Sequence, residues 1–336
     1  MPHSTSKNQK IKKTLQKLND EIRILSELGE ERLKNAQEIS LLHLSLGALK
    51  KQYKYRHRKV DPALRRQEEK GKFRYLASDS DRYLVIKGWD GGLLACRAPI
   101  RDPKVVQTLT TSMNIIPQDE ISKKSKTNGL DRGDHSCRFY YIWTDSSPEP
   151  FISKDVALNL ETKEKFLDDN KKLWRCMSNL LGEVAPRTYK RFQRFPLPGK
   201  LKRFCGAWAG CAINIGRNKK PVGTKIHRDV KEGKHGYSCL CACGDYQGGE
   251  VILYELGVVI ELKPGEMLLF PDGLIHHANR PVTGTRYSLV AFTRGNMLAY
   301  WKKKFGKGKS KKSKSKKIMD RNMKKKCTGK KITRIS

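Results

Sequence analysis

The sequence predicts an α+β protein built around an eight-stranded jelly roll, and three observations carry that expectation. Between Phe204 and Trp301 the chain is dense in short β segments: "WAGCAINIG", "TKIHRD", "GYSCLCACG", "GEVILYEL", "VVIEL", "EMLLFP", "LIHHAN" and "TRYSLVAFT", each bounded by Gly, Pro, Asp or Asn. No helix-length period separates them, which argues against a parallel α/β sheet and leaves a sandwich or a barrel. Helical patterns precede this region, and a Lys-rich run that cannot bury apolar surface follows it.

The helical pattern begins near Lys10. Ile11, Leu15, Leu18, Ile22 and Leu25 make a short coiled-coil-like stripe. Gly29 interrupts it, and Leu33, Ala36, Ile39, Leu42, Leu46 and Leu49 resume in shifted phase, so a kinked helix or helical hairpin is expected as far as Tyr53. So few heptads do not specify a dimer, and packing on the chain's own domain is the simpler expectation. "KKQYKYRHRK", Lys50 to Lys59, alternates bases with Tyr53 and Tyr55. That pattern suits phosphate contact with base stacking, and equally an ordinary solvated helix end.

From Tyr83, "YLVIK", "GWDGG" and "LLACRA" predict a hairpin, and "CRFYYIW" predicts a further strand after a surface loop around "SKKSKTNGLDRGD". Helix returns from about Ser153 to Leu181, and "FPLPGK" punctuates the chain before the core. These shifts suggest four regions: a helical, coiled-coil-like 1–59 with a basic end, an α+β support at 60–203, the core at 204–301, and a disordered Lys-rich tail at 302–336.

Lys and Arg number 70 against 34 Asp and Glu, a formal net charge of +36. Such an excess favours polyanions, with nucleic acid, DNA first, as the default partner. Seventeen of the cations lie between Lys302 and Ser336 against the single acid Asp320, so the tail suits nuclear import, a nucleic-acid tether, or both. Nine cysteines without a signal peptide or an apolar run near twenty residues predict a soluble intracellular protein with free thiols and no membrane partner. Cys239, Cys241 and Cys243 alternate and so share one face of a strand. With His235 they imitate a zinc site, but their spacing is not that of a zinc knuckle, and small core residues are expected instead. Trp208 and Tyr254 are likewise expected to be packing aromatics.

The chemistry is suggested by "GTKIHRDVKEG". On a strand, His227 and Asp229 face the same way and supply two thirds of a facial triad. The third ligand should come from a distant strand, where "LIHHAN" offers His276 and His277. A facial set of two His and one carboxylate leaves open positions on a divalent iron for a chelating co-substrate and O2. Arg286, with Ser288 two residues on, can clamp a distal carboxylate through charge-assisted hydrogen bonds. Asn214 and Tyr237 are further candidate co-substrate contacts, each also readable as core or rim.

The segment "HRD" followed by "GDYQGGEVILYELGVVIELKPGEMLLFPDGLIHHANRPVTGTRYSLVAFT" resembles the Fe(II)/2-oxoglutarate-dependent dioxygenase superfamily. It is most similar to the fungal branch of the TET/JBP-like enzymes and more distantly similar to prolyl hydroxylases. The resemblance covers roughly Phe204 to Trp301. It implies a double-stranded β-helix, the cofactors Fe(II) and 2-oxoglutarate, O2 as co-substrate, and succinate and CO2 as by-products. His227 and Asp229 match the H-x-D motif and Arg286 the 2-oxoglutarate anchor. His277 matches the distal His, standing four residues before Pro281 and nine before Arg286; His276 fits less well. The sequence lacks the long insert between Asp229 and His277 and the upstream Cys-rich zinc region of better known TET enzymes. Three functions follow: a dioxygenase oxidising a nucleobase methyl group of the 5-methylcytosine or thymine type, a hydroxylase of a protein side chain such as prolyl, and a catalytically dead basic nucleic-acid-binding protein.

Overall fold

The computed structural model describes residues 7–53, 59–79, 81–116, 136–143, 147, 149–157, 159–194, 197 and 201–305. The loop at "SKKSKTNGLDRGD", most of "FPLPGK", Tyr55 and the tail from residue 306 lie outside them. Helix α1 (Lys7–Leu33) is followed by strand β1 (Gln37–Leu41), the short helices α2 (Leu46–Gln52) and α3 (Pro62–Glu69), and β2 (Arg74–Leu76). The hairpin β3 (Leu84–Gly88) and β4 (Leu93–Pro99) leads into α4 (Pro103–Asn114). After β5 (Ser136–Trp143) and β6 (Phe151–Ile152) come four helices, α5 (Lys154–Ala157), α6 (Leu160–Asp169), α7 (Lys171–Val184) and α8 (Pro186–Gln193). The remaining strands are β7 (Gly210–Val222), β8 (Ser238–Gly248), β9 (Val251–Leu253), β10 (Val258–Ile260), β11 (Glu266–Phe270), β12 (His277–Asn279) and β13 (Val282–Phe292), closed by α9 (Gly295–Phe305).

Two sheets face each other. The larger has the order β1-β3-β4-β11-β8-β13-β7-β5-β6, and the smaller β12-β9-β10-β2. Between them lies an apolar layer that includes Leu240, Ala242, Leu268, Val251, Leu253 and Ile260. The opposite face of the large sheet carries Cys239, Cys241, Cys243, Leu289 and Ile213 against helix residues such as Leu109, Trp174 and Met177. The first half of β8, Ser238–Cys243, is therefore buried on both faces, which explains its run of small residues, since free cysteine packs as a small hydrophobe. Burial holds these thiols well above their usual titration range, Cys243 at about 11. They are core residues, as their spacing suggested.

Four local expectations are corrected. First, α1 runs through Gly29 without a break. A Cβ there would stand 2.7 Å from the Glu183 carbonyl oxygen, and one on Gly182 2.5 Å from Leu25 Cδ1. The glycines let α1 and α7 cross closely, a gain that offsets their cost of about 1 kcal/mol each in a helix. Leu18, Ile22 and Leu25 pack into this chain's own core. Second, Ile39 belongs to a strand: β1 pairs in parallel with β3, Ile39 opposite Ile86, while Leu42 is 85% exposed. Third, "TKIHRD" forms no strand, only one antiparallel bridge between His227 and His277. Fourth, the first residues of the supposed disordered tail, 302–305, belong to α9.

Candidate metal centre

His227 and His277 meet through their backbones first. Each amide donates to the other's carbonyl, at 3.0 and 2.8 Å, and this bridge sets the two rings 4.3 Å apart. Asp229 follows across the next turn, its amide fixed by the Asp272 carbonyl at 3.1 Å. One donor atom from each of His227, Asp229 and His277 then lies within 4.8 Å of the others, the one such cluster of His, Cys and carboxylate side chains among the described residues. The closing of 227 onto 277 needs Gly223, where a Cβ would stand 2.6 Å from the Asn279 carbonyl oxygen.

The tautomers are set by the main chain. His227 Nδ1 is 2.7 Å from the Lys225 carbonyl and His277 Nδ1 3.0 Å from that of Ile275. A ring nitrogen facing a carbonyl must carry the proton, so each Nε2 is left as a lone-pair donor, the state a metal ligand requires. His277 Nε2 is 3.7 Å from Asp229 Oδ2. Burial alone would lower the His277 pKa, but the nearby Asp229 carboxylate outweighs it and raises the pKa above the ordinary imidazole value. Behind them Asp272 is fully buried; burial, then the charge of Asp229, push its carboxyl up to about 7. Sequence reasoning missed Asp272, whose "PDG" context reads as a turn.

The neighbouring His276, just ahead of β12, turns instead to Glu255. Its ring Nδ1 is 2.5 Å from Glu255 Oε1, and its amide donates to Glu255 Oε2 at 2.7 Å. Glu255 thus pins the residue before His277, a role with no spacing signal in the sequence.

The triad lines a cavity of about 250 Å³ together with Asn214, Ser288, Phe270, Val230, Lys231 and Arg294. Asn214 Nδ2 donates to Ser288 Oγ at 3.2 Å. Arg286 lies on the same face of β13 as Ser288 but is not part of the cavity wall. Its guanidinium turns over the Tyr246 ring, 5.4 Å from the centroid, in space left by Gly249, whose Cβ would be 3.2 Å from Nε. Nε and Nη2 of Arg286 are buried and have no partner. Buried orphan donors are costly, so this pair fits a bidentate carboxylate. Tyr237 does not belong to the site: it is buried on the helix side of the large sheet, where its hydroxyl donates to the Leu93 carbonyl at 2.6 Å. Trp208 and Tyr254 are buried packing residues, Tyr254 edge-on to Phe73.

Residues 147–295 match the family model Tet_JBP, the oxygenase domain of the 2OGFeDO superfamily. The match begins upstream of the region whose sequence resemblance was legible. Among solved structures, NgTET1 in complex with 5mC DNA superposes with a TM-score of 0.50 at 18% identity, covering 67% of this chain and 84% of that one. A 2OG-Fe(II) oxygenase family oxidoreductase from Burkholderia pseudomallei gives 0.35 at 16% identity over 76% and 93%, and a Pseudomonas putida prolyl-4-hydroxylase 0.33 at 13% over 60% and 91%. A search of curated proteins finds no match. The two facing sheets are a double-stranded β-helix. Residues 147–295, somewhat under half of the chain, are an oxygenase domain of the TET/JBP type, a class that works with Fe(II) and 2-oxoglutarate. No helix among the described residues is long and apolar enough to cross a membrane.

Proposed function

We propose that the protein oxidises a methyl group on a nucleobase, of the 5-methylcytosine or thymine type, in DNA, and that it works in the nucleus. The observation that carries the reading is the match of residues 147–295 to the TET/JBP oxygenase model. It is supported by the net charge of +36 and by the fold shared with NgTET1, a protein seen with 5mC DNA.

In this reading His227, Asp229 and His277 hold Fe(II), and the Nε and Nη2 of Arg286 clamp the distal carboxylate of 2-oxoglutarate beside Ser288 and Asn214. Bound iron with 2-oxoglutarate and O2 supplies the oxidising power for a C–H bond. The chain's own residues do the rest. The Lys225 and Ile275 carbonyls hold both imidazoles in the ligating tautomer. Phe270, edge-on to the His277 ring at 5.1 Å, keeps that wall apolar. A cavity of this size admits one base only after it leaves the stack.

The test is 2-oxoglutarate turnover with a panel of modified oligonucleotides and peptides. Succinate formation with methylated DNA, absent with unmethylated DNA and with prolyl peptides, is expected. Turnover with peptides alone would move the substrate to protein, and none with any substrate would make the fold a binding module.

A further inference from the structure

Next to the cavity, four segments far apart in sequence bring cations together. Arg191 on α8 donates through Nη2 to the His235 carbonyl, and its guanidinium lies 5.5 Å from the centre of the Phe192 ring. The end of α2 is tied to the same place by Tyr53, whose hydroxyl donates to the Val230 carbonyl at 2.6 Å, and it presents Lys50. Lys234 is exposed on the loop between Glu232 and β8; α9 starts against this loop, where Gly295 meets Gly233, and carries Lys302 two turns further on, within electrostatic reach of His235. Val230 and Lys231 of this loop line the cavity.

None of Lys50, Arg191, Lys234 and Lys302 has a carboxylate within 4.0 Å among the described residues, whereas Arg32, Arg65, Lys87 and Lys165 each do. Arg191 Nε is buried and has no partner. Asp90, the acid facing Lys50, is engaged by the amides of Leu46 and Gly47. The crowding shows in His235, whose pKa is depressed by burial first and then by Arg191, Lys50, Lys234 and Lys302. Like charges held together without counter-ions cost stability, and a polyanion relieves that cost.

We propose that Lys50, Arg191, Lys234 and Lys302 form a phosphate-binding surface on which a nucleic-acid backbone lies while its base enters the adjoining cavity. The inference rests on the nucleic-acid reading above and deepens it by placing the strand. A backbone lying here carries no sequence information and sets only register.

The test uses the full chain and a methylated duplex oligonucleotide, followed by fluorescence anisotropy over a range of salt. Lys50→Gln, Lys234→Gln, Lys302→Gln in one protein leaves Arg191 packed on Phe192. The control, Lys104→Gln, Lys165→Gln, Lys171→Gln, removes equal charge from α4, α6 and α7. The patch variant should bind about tenfold or more weakly near 0.1 M salt and lower the slope of log affinity against log salt by about 2 to 3, the control by much less. Equal losses in both would overturn the patch while the nucleic-acid reading stood. A wild-type protein that binds no oligonucleotide at any salt would overturn both. Loss of binding to phosphatidylserine vesicles with oligonucleotide binding intact would overturn the patch in favour of a lipid surface. Lys234→Glu, at an exposed loop position, repeats the comparison should the triple variant unfold.

Discussion

At the cavity, Asp229 stands 3.7 Å from His277 with Asp272 behind it, whereas six residues along the same loop His235 sits among Arg191, Lys50, Lys234 and Lys302. The first region concentrates negative charge and lone pairs, and raises the pKa of its histidine. The second concentrates positive charge and depresses the pKa of its own. One is held by a backbone bridge that sets where its donors lie. The other is assembled from side chains on α2, α8, α9 and a loop, where position matters less than total charge. A cation needs the former construction and a flexible polyanion tolerates the latter, so chemistry and strand binding should be separable by mutation.

The largest effect should come from Asp229→Ala. Turnover of 2-oxoglutarate should fall below detection, while oligonucleotide affinity and its salt slope stay within about twofold, since the proposed phosphate contacts lie elsewhere. Parallel loss of both would break the separation. Arg286→Ala comes next. Losing two charge-assisted hydrogen bonds should raise the KM for 2-oxoglutarate about 100-fold, with iron affinity little changed. Equal loss of iron would mean that Arg286 supports the fold through Tyr246 rather than the co-substrate.

Glu255→Ala should be milder. It frees the His276 amide and ring, and by analogy with outer-shell partners should weaken metal about tenfold through a looser His277. Metal affinity equal to wild type would show that the 227–277 bridge suffices.

The smallest effect is a pH dependence of the basic surface. The His235 pKa is lowered in the free protein, so between that value and the ordinary imidazole range the folded state binds fewer protons than the unfolded one, and stability falls as pH falls through this window. A phosphate on the surface relieves the repulsion and raises the pKa, so binding takes up protons. Oligonucleotide affinity should therefore rise modestly as pH is lowered below about 6.5, and His235→Gln should abolish that rise. A rise that survives the substitution would place the proton elsewhere.

What the sequence made legible follows the same division. The "GWDGG" hairpin and the core strands other than "TKIHRD" were readable from alternation, and the clustering of His227, Asp229 and His277 from motif spacing, because both act over short or fixed distances. The strand at Ile39 was not: five residues on a sheet edge give too little alternation to compete with a helical stripe. Gly29 was misread because a glycine that breaks a helix and one that admits a neighbouring helix look alike until Glu183 is in place. Tyr237 sits within reach of the motif in sequence, yet its hydroxyl goes to Leu93 on the other side of the sheet. Of the cationic surface, Lys50 heads "KKQYKYRHRK" and Lys302 the Lys-rich tail, both legible as phosphate-binding candidates, whereas Arg191 and Lys234 share no local pattern with them.

The central claim is that His227, Asp229 and His277 form the iron site and Arg286 the co-substrate anchor. Anaerobic titration of the full chain with Fe(II), with and without 2-oxoglutarate, tests it most directly, in the wild type beside Asp229→Ala and Arg286→Ala. The account predicts one equivalent of iron and a 2-oxoglutarate-dependent absorbance change in the wild type, neither in Asp229→Ala, and iron without the absorbance change in Arg286→Ala. Stoichiometric iron with an unchanged 2-oxoglutarate response in Asp229→Ala would contradict it.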